Sequence, residues 1–184
     1  MKELSLNILD ISQNSITAGA SLVEISLIED ENGWLTLSVK DDGCGMSEET
    51  LRTVMDPFYT TRTTRKVGMG IPLLKLAAEQ TGGEVRIESV SDKVSDNHGT
   101  TITATFDTSH IDMTPLGDVI ETVVTILQGH PEIDYLFIHT TKSYSVMLDT
   151  REMRAVLGDV SLAEPEVLGW VRENLSEQYE QLPE

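Results

Sequence analysis

The chain has 184 residues, a net charge of −18, 39% hydrophobic and 5% aromatic residues, and one cysteine. That is enough for one sizeable domain, or a domain with a smaller unit attached. Free-standing nucleic-acid binding, which neutralises phosphates with lysine and arginine, is excluded. No apolar run approaches the roughly 18 residues of a membrane helix, the N-terminus has no signal-peptide core, and Cys44 has no partner for an internal disulfide, so a cytoplasmic protein is expected.

In chain order, residues 3–18 read as a helix with Leu4, Ile8, Leu9, Ile11 and Ile16 on one face. Asp10 and Asn14 lie four apart on the other side. Residues 22–29 and 34–41 alternate as strands around the turn EDENG. Ser47, followed by two glutamates, opens a short helix that ends before Pro57. Residues 59–67 have no period. A further helix starts near Met69–Pro72 and stops at Gly82-Gly83. Strands follow at 84–90 and 100–107.

Beyond Asp107 the pattern changes. Thr114-Pro115 reads as an N-cap and first helical residue. The helix behind it lines up Leu116, Val119, Ile120, Val123 and Leu127. Residues 135–139 and 144–149 read as a hairpin, 151–157 as a short helix, and 165–181 as a last helix with Leu168, Val171, Leu175 and Tyr179 on one face. Residues 110–184 hold 14 acids and 4 bases. Met147 is expected to pack rather than to bind a cofactor.

Two short stretches carry chemistry. In the strand 34–41, Asp41 shares the parity of Leu35, Leu37 and Val39, so a regular strand points it inward. An inward carboxylate is costly unless it is hydrogen-bonded, so it suits a donor such as an exocyclic amine. The neighbouring Gly43 and Gly45 would let a flat ring approach the backbone. If the strand ends at Lys40, Asp41 is an ordinary turn residue. Thr100 shares the inward parity of Ile102, Ala104 and Phe106. The second stretch is KVGMGIPLLK. Gly68, Met69 and Gly70 precede a helix N-terminus, where free amides bind phosphate. Arg62, Arg65 and Lys66 stand just upstream, with no acid between Arg62 and Lys75.

ILDISQN, DDGCGM, DPFYTTR, KVGMGIPLLK and GTTITATF together resemble the motif series of the Bergerat ATP-binding fold. Gyrase-type topoisomerases, the large heat-shock chaperone, sensor histidine kinases and mismatch-repair ATPases share it. The resemblance covers about residues 1–108 and is nearest to the catalytic domain of histidine kinases. It implies a magnesium ligand at Asn14, a water-polarising catalytic acid at Asp10, and an adenine-binding acid at Asp41 with Gly43, Gly45 and Met46 around the ring. It also implies nucleotide contacts at Phe58, Arg62, Arg65, Lys66, Gly68, Met69, Gly70 and Thr100. Lys66 stands where the family usually has glycine. Nothing precedes the first helix, so the resemblance is to a stand-alone ATP-binding protein without the histidine phosphoacceptor hairpin. SHIDMTPL looks like a phosphoacceptor box, but Ile111 stands where its acid belongs, and His110 is expected at the end of the preceding strand.

The expectation is a two-layer α/β sandwich over residues 1–109, a mixed or antiparallel sheet with helices on one face, plus an α+β extension over 110–184. The expected function is a Mg-ATP-binding, histidine-kinase-like ATPase acting as a regulatory module. The alternatives are a protein kinase acting in trans on a partner's serine or histidine, and a nucleotide sensor without turnover. A protein partner or a homodimer is expected, and neither nucleic acid nor membrane.

Overall fold

The computed structural model describes residues 3–54 and 69–181. Helix α1 is Leu4–Thr17. Strands β1 (Leu22–Glu29) and β2 (Trp34–Asp41) form a hairpin. Helix α2 is Glu48–Thr53, with Ser47 Oγ accepting from Thr50 N as its N-cap. Helix α3 is Gly70–Gln80. Strands β3 (Val85–Val90) and β4 (Gly99–Asp107) form a second hairpin. Helix α4 (Val119–Gly129), strands β5 (Asp134–Thr140) and β6 (Ser145–Asp149), and helices α5 (Thr150–Leu157) and α6 (Pro165–Glu180) follow.

The six strands form one mixed sheet in the order β3-β4-β2-β1-β5-β6. All neighbours are antiparallel except β1 and β5, which pair in parallel. β4 and β5 therefore run in the same direction, and the chain between them must return along the sheet. Helix α4 makes that return. Residues 110–184 thus add two strands to the sheet that residues 22–107 begin, hydrogen-bonded directly to β1.

Burial alternates along β1, β2, β4 and β5, so one face of the sheet is packed and the other is not. On the packed face Phe106 and Phe137 are essentially fully buried, worth about 1.5–3 kcal/mol each. Helices α1 and α3 cover β2, β3 and β4, and α4 and α6 extend the layer. The buried stripe of α1 is Leu4, Ile8, Ile11 and Ser15, with Leu9 and Ile16 half-buried at its margin. In α6, Val167, Leu168, Val171 and Leu175 are buried and Tyr179 is half-buried.

Three expectations change. Thr114-Pro115 does not start a helix; α4 begins at Val119, capped by Asp118 Oδ1 accepting from Glu121 N at 2.9 Å. The carbonyls of Pro115 and Leu116 instead accept from Leu4 N and Ser5 N at 2.9 and 2.8 Å, tying the segment to the start of α1. Gly117, at φ +77°, then turns the chain into the helix. Met147 does not pack inward, since it points to the open face and is 48% exposed. His110 lies past the end of β4, exposed in a turn.

Candidate functional site

The candidate site lies where the C-terminal end of α1, the loop after β2, the N-terminus of α3 and the β3–β4 hairpin meet. Strand β2 stays regular to its last residue, so Asp41 faces inward and is 9% exposed. Its carboxylate is held on both oxygens. Ser15 Oγ donates to Oδ2 at 2.6 Å, and Oδ1 accepts from Gly43 N at 2.9 Å and Thr100 N at 3.3 Å. Three donors offset the cost of burying a charge. An ionised carboxylate offers about four acceptor positions, so one remains for an outside donor.

The two glycines of this loop serve the protein itself. Gly45 has φ +67°, and a Cβ there would stand 1.9 Å from Val90 O. A Cβ on Gly43 would stand 2.9 Å from Ala18 Cβ and 3.0 Å from Asp41 Oδ1. Their absent side chains let the loop lie against β3 and α1, so approach to a flat ring is not what requires glycine. Gly99 continues the pattern, since its Cβ would overlap Asp41 O at 2.0 Å.

The loop is clamped from both sides. Cys44 N donates to Ala18 O, and Asp92 N donates to Cys44 O, each at 2.9 Å. His98 Nδ1 lies 2.5 Å from Gly43 O. Asp42 accepts from Ser21 N at 2.7 Å and Leu22 N at 2.9 Å, and from Ser21 Oγ. Burial alone would raise the Asp42 carboxyl; these donors outweigh it and hold the group below the usual carboxylate range.

Asp10 is exposed and Asn14 half-buried on α1. Helix α3 comes close at this point because Gly70 has no side chain. A Cβ there would lie 3.0 Å from Asp10 Cβ and 3.8 Å from its Oδ2. The expected acid and the first residue of the expected phosphate-binding helix are therefore neighbours. The N-cap of α3, Met69, is exposed and supplies no side-chain acceptor, so the first-turn amides are not capped by it. Met46 is half-buried, with its amide donating to Ser89 Oγ at 2.8 Å. Thr100 is buried, and its Oγ1 shares a hydrogen bond with the same Ser89 Oγ at 2.8 Å. Phe58, Arg62, Arg65, Lys66 and Gly68 lie outside the described residues.

Sequence reasoning missed Ser15, Asp42, Ser89 and His98. Two of them carried a signal. Ser15 continues the stripe Leu4, Ile8, Ile11, and Ser89 continues the inward parity of Val85 and Ile87, so each is a polar residue at an inward position. No sequence period marks Asp42 or His98.

Residues 1–110 match the histidine kinase-, DNA gyrase B-, and HSP90-like ATPase family. Sporulation kinase E of Bacillus subtilis (strain 168) is 31% identical over 94 residues, 50% of this chain and 12% of that kinase. The chain therefore spans a small part of the length of this curated relative. The N-terminal domain of a DNA repair protein superposes with a TM-score of 0.58 at 16% identity, covering 86% of this chain and 58% of that one. The MutL ATPase domain of Aquifex aeolicus, complexed with ADP, gives 0.53 at 13% identity over 97% of this chain and 70% of that one. At such identities the likeness is one of fold. It extends past residue 110 into the strands and helices of the C-terminal part. Among the described residues, no helix is long and apolar enough to cross a membrane, and no group of three or more potential side-chain ligands is arranged to hold a metal.

Proposed function

The chain belongs to the histidine kinase-, DNA gyrase B-, and HSP90-like ATPase family, and from that premise we propose that it binds Mg-ATP and acts as a regulatory ATP-binding module. The observation that carries the proposal is Asp41, a buried carboxylate anchored by Ser15, Gly43 and Thr100 with acceptor capacity to spare. It recognises the amino group of adenine. Met46 borders the base, and Ser89 supports both Met46 and Thr100.

The first turn of α3, which Met69 does not cap, receives phosphate through the amides of Gly70 and Ile71 and the helix dipole. Gly70 and the adjacent Asp10 bring that turn next to α1. Asn14, one turn beyond Asp10, is the ligand for magnesium. An amide oxygen suits this hard cation, which keeps most of its waters and is held largely by phosphate, so a site built from few protein ligands fits it. The ion would supply charge compensation on the phosphates, as would Arg62, Arg65 and Lys66 by their place in the sequence. Asp10 is exposed and orients a water molecule or an acceptor hydroxyl at the phosphate end. The reading places the protein in the cytoplasm, where ATP is abundant, with a protein partner.

Calorimetric titration tests the proposal. ATP is expected to bind with magnesium, more weakly with chelator, and GTP not at all. Equal affinity for GTP and ATP would overturn it. Incubation with γ-labelled ATP then separates an ATPase (free phosphate) from a kinase acting in trans (labelled partner) and from a nucleotide sensor (neither).

A further inference from the structure

Helices cover one face of the six-stranded sheet, and the described residues leave the other face open. Taken in register from β6 to β4, that face has two adjoining rows without an ionisable side chain. One runs from Met147 through Ile138, Ser26 and Ser38 to Thr103; the next runs from Ser145 on β6 to Thr105 on β4. In a chain with 24% charged residues and a net charge of −18, these rows are a neutral island. Trp34, Ile28, Ile138 and Met147 form an apolar diagonal over four consecutive strands of this face. Ile28 is 47% and Met147 48% exposed. Among the described residues charge returns at the margins, as the Glu24–Lys40 ion pair on one side, Asp107 opposite Trp34 on the other, and the Arg86–Glu84 pair where β3 continues the sheet past Thr103.

We propose that this face is where two copies of the chain meet, sheet against sheet across a two-fold axis. Each copy carries 18 net negative charges, so contact through most of the surface brings acid against acid. The neutral rows avoid that repulsion. A basic partner would be drawn to the acidic surface instead, and would gain nothing from seryl and threonyl rows. Hydroxyls both donate and accept, so such rows are self-complementary, as an isologous contact requires. The apolar diagonal then meets its own copy and leaves water. Five strands spaced about 4.8 Å apart, over some four to six residues of about 3.3 Å each, give roughly 300–500 Å² per copy. That is below a standard interface of about 800 Å² per partner, so a weak, micromolar dimer is expected. The face is opposite the one toward which Asp41 points and on which α3 packs, so the proposal does not depend on what that site binds.

The test is sedimentation velocity of the full chain over the micromolar range at low and high salt. A concentration-dependent dimer that strengthens with salt is expected, because screening removes repulsion between the copies. Two variants at the solvent-facing Ser38 locate it. Ser38→Glu and Ser38→Lys are each expected to weaken dimerisation at least tenfold, with unchanged melting temperature. Ser38→Lys lowers the net negative charge, so it would strengthen association through any other part of the surface. A chain that stays monomeric at every concentration and salt overturns the proposal, as does a dimer that Ser38→Lys leaves unchanged or strengthens.

Discussion

Ser15, Asp41 and Thr100 in the N-terminal part of the fold, and Thr122, His139 and Thr150 in the C-terminal part, are all buried polar residues, but their surroundings differ. In the C-terminal part each is tied to structure. Thr122 Oγ1 donates to the carbonyls of Ser5 and Asp118, and Thr150 Oγ1 bridges Asp134 and Tyr135 N. The His139 ring sits 2.9 Å from both Glu29 Oε1 and the Tyr179 hydroxyl, joining β1 to α6. In the N-terminal part Ser15 and Thr100 converge on the Asp41 carboxylate, which keeps acceptor capacity to spare, and on α1 the side chains of Asn7 and Ser12 are buried with no partner among the described residues. The C-terminal part closes the sheet, while the N-terminal part retains polar groups that cost stability and shape a site.

The strongest way to break this contrast is truncation after Thr108. It removes β5 from its pairing with β1 and α4 from its packing against α1. A bare central strand and an uncovered apolar face are expected to leave an aggregated or partly folded chain by sedimentation and proton NMR, though every ATP motif precedes the cut. A soluble fragment of unchanged mass behaviour would show that the C-terminal part is an independent module.

Gly45→Ala is expected to cost roughly 2–4 kcal/mol in chemical denaturation. The added Cβ would meet Val90 O from a left-handed backbone conformation. If stability hardly changes, the loop is not held against β3 as described. Nucleotide affinity should fall with it, because Asp41 moves with the loop.

The two parts should also differ toward base. Burial pushes the Tyr135 and Tyr179 phenols above their ordinary value of about 10. A group whose folded value is raised contributes stability that is intact below its unfolded value and is lost as pH rises through the folded one. Stability should therefore fall above about pH 10, with β5 and α6 loosening first by hydrogen exchange. Tyr179→Phe should flatten that fall while costing about 1 kcal/mol at neutral pH through the lost bond to His139. Toward acid, Asp42 is held low, so its contribution is present above the ordinary carboxylate range and is lost as pH falls through its folded value. Asp42→Asn should flatten the acid limb alone.

The smallest expected effect is at Ser12. Removing a buried hydroxyl that has no partner among the described residues should leave stability unchanged or raise it by up to about 1 kcal/mol in Ser12→Ala. A loss larger than that would mean Ser12 serves an interaction of its own.

Much of this was legible in the sequence because it rests on periods. Strands 22–29 and 34–41, and the helix ending before Gly82-Gly83, follow from alternation and caps; parity points Asp41 inward only if the strand runs through it, which the fold shows it does. The start of α4 was not legible. Thr114-Pro115 has good helix-start chemistry, but the carbonyls beyond it are taken by Leu4 and Ser5, a long-range pairing that no local pattern shows. The parallel pairing of β1 with β5 was hidden for the same reason. The glycines of DDGCGM were conspicuous, but what they approach, Val90 and Ala18, appears only once the chain is folded. His98 and Asp42 gave no signal because each acts on a backbone brought near by folding.

The central claim is that the Asp41 carboxylate reads the amino group of adenine. Its most direct test is calorimetric binding of ATP and of a purine triphosphate lacking that amino group, to the unaltered chain and to Asp41→Asn. The account predicts that the unaltered chain favours ATP by about 1.5–3 kcal/mol, the worth of a hydrogen bond to a charged group, and that Asp41→Asn removes most of that preference. Equal binding of the two nucleotides by the unaltered chain would contradict it.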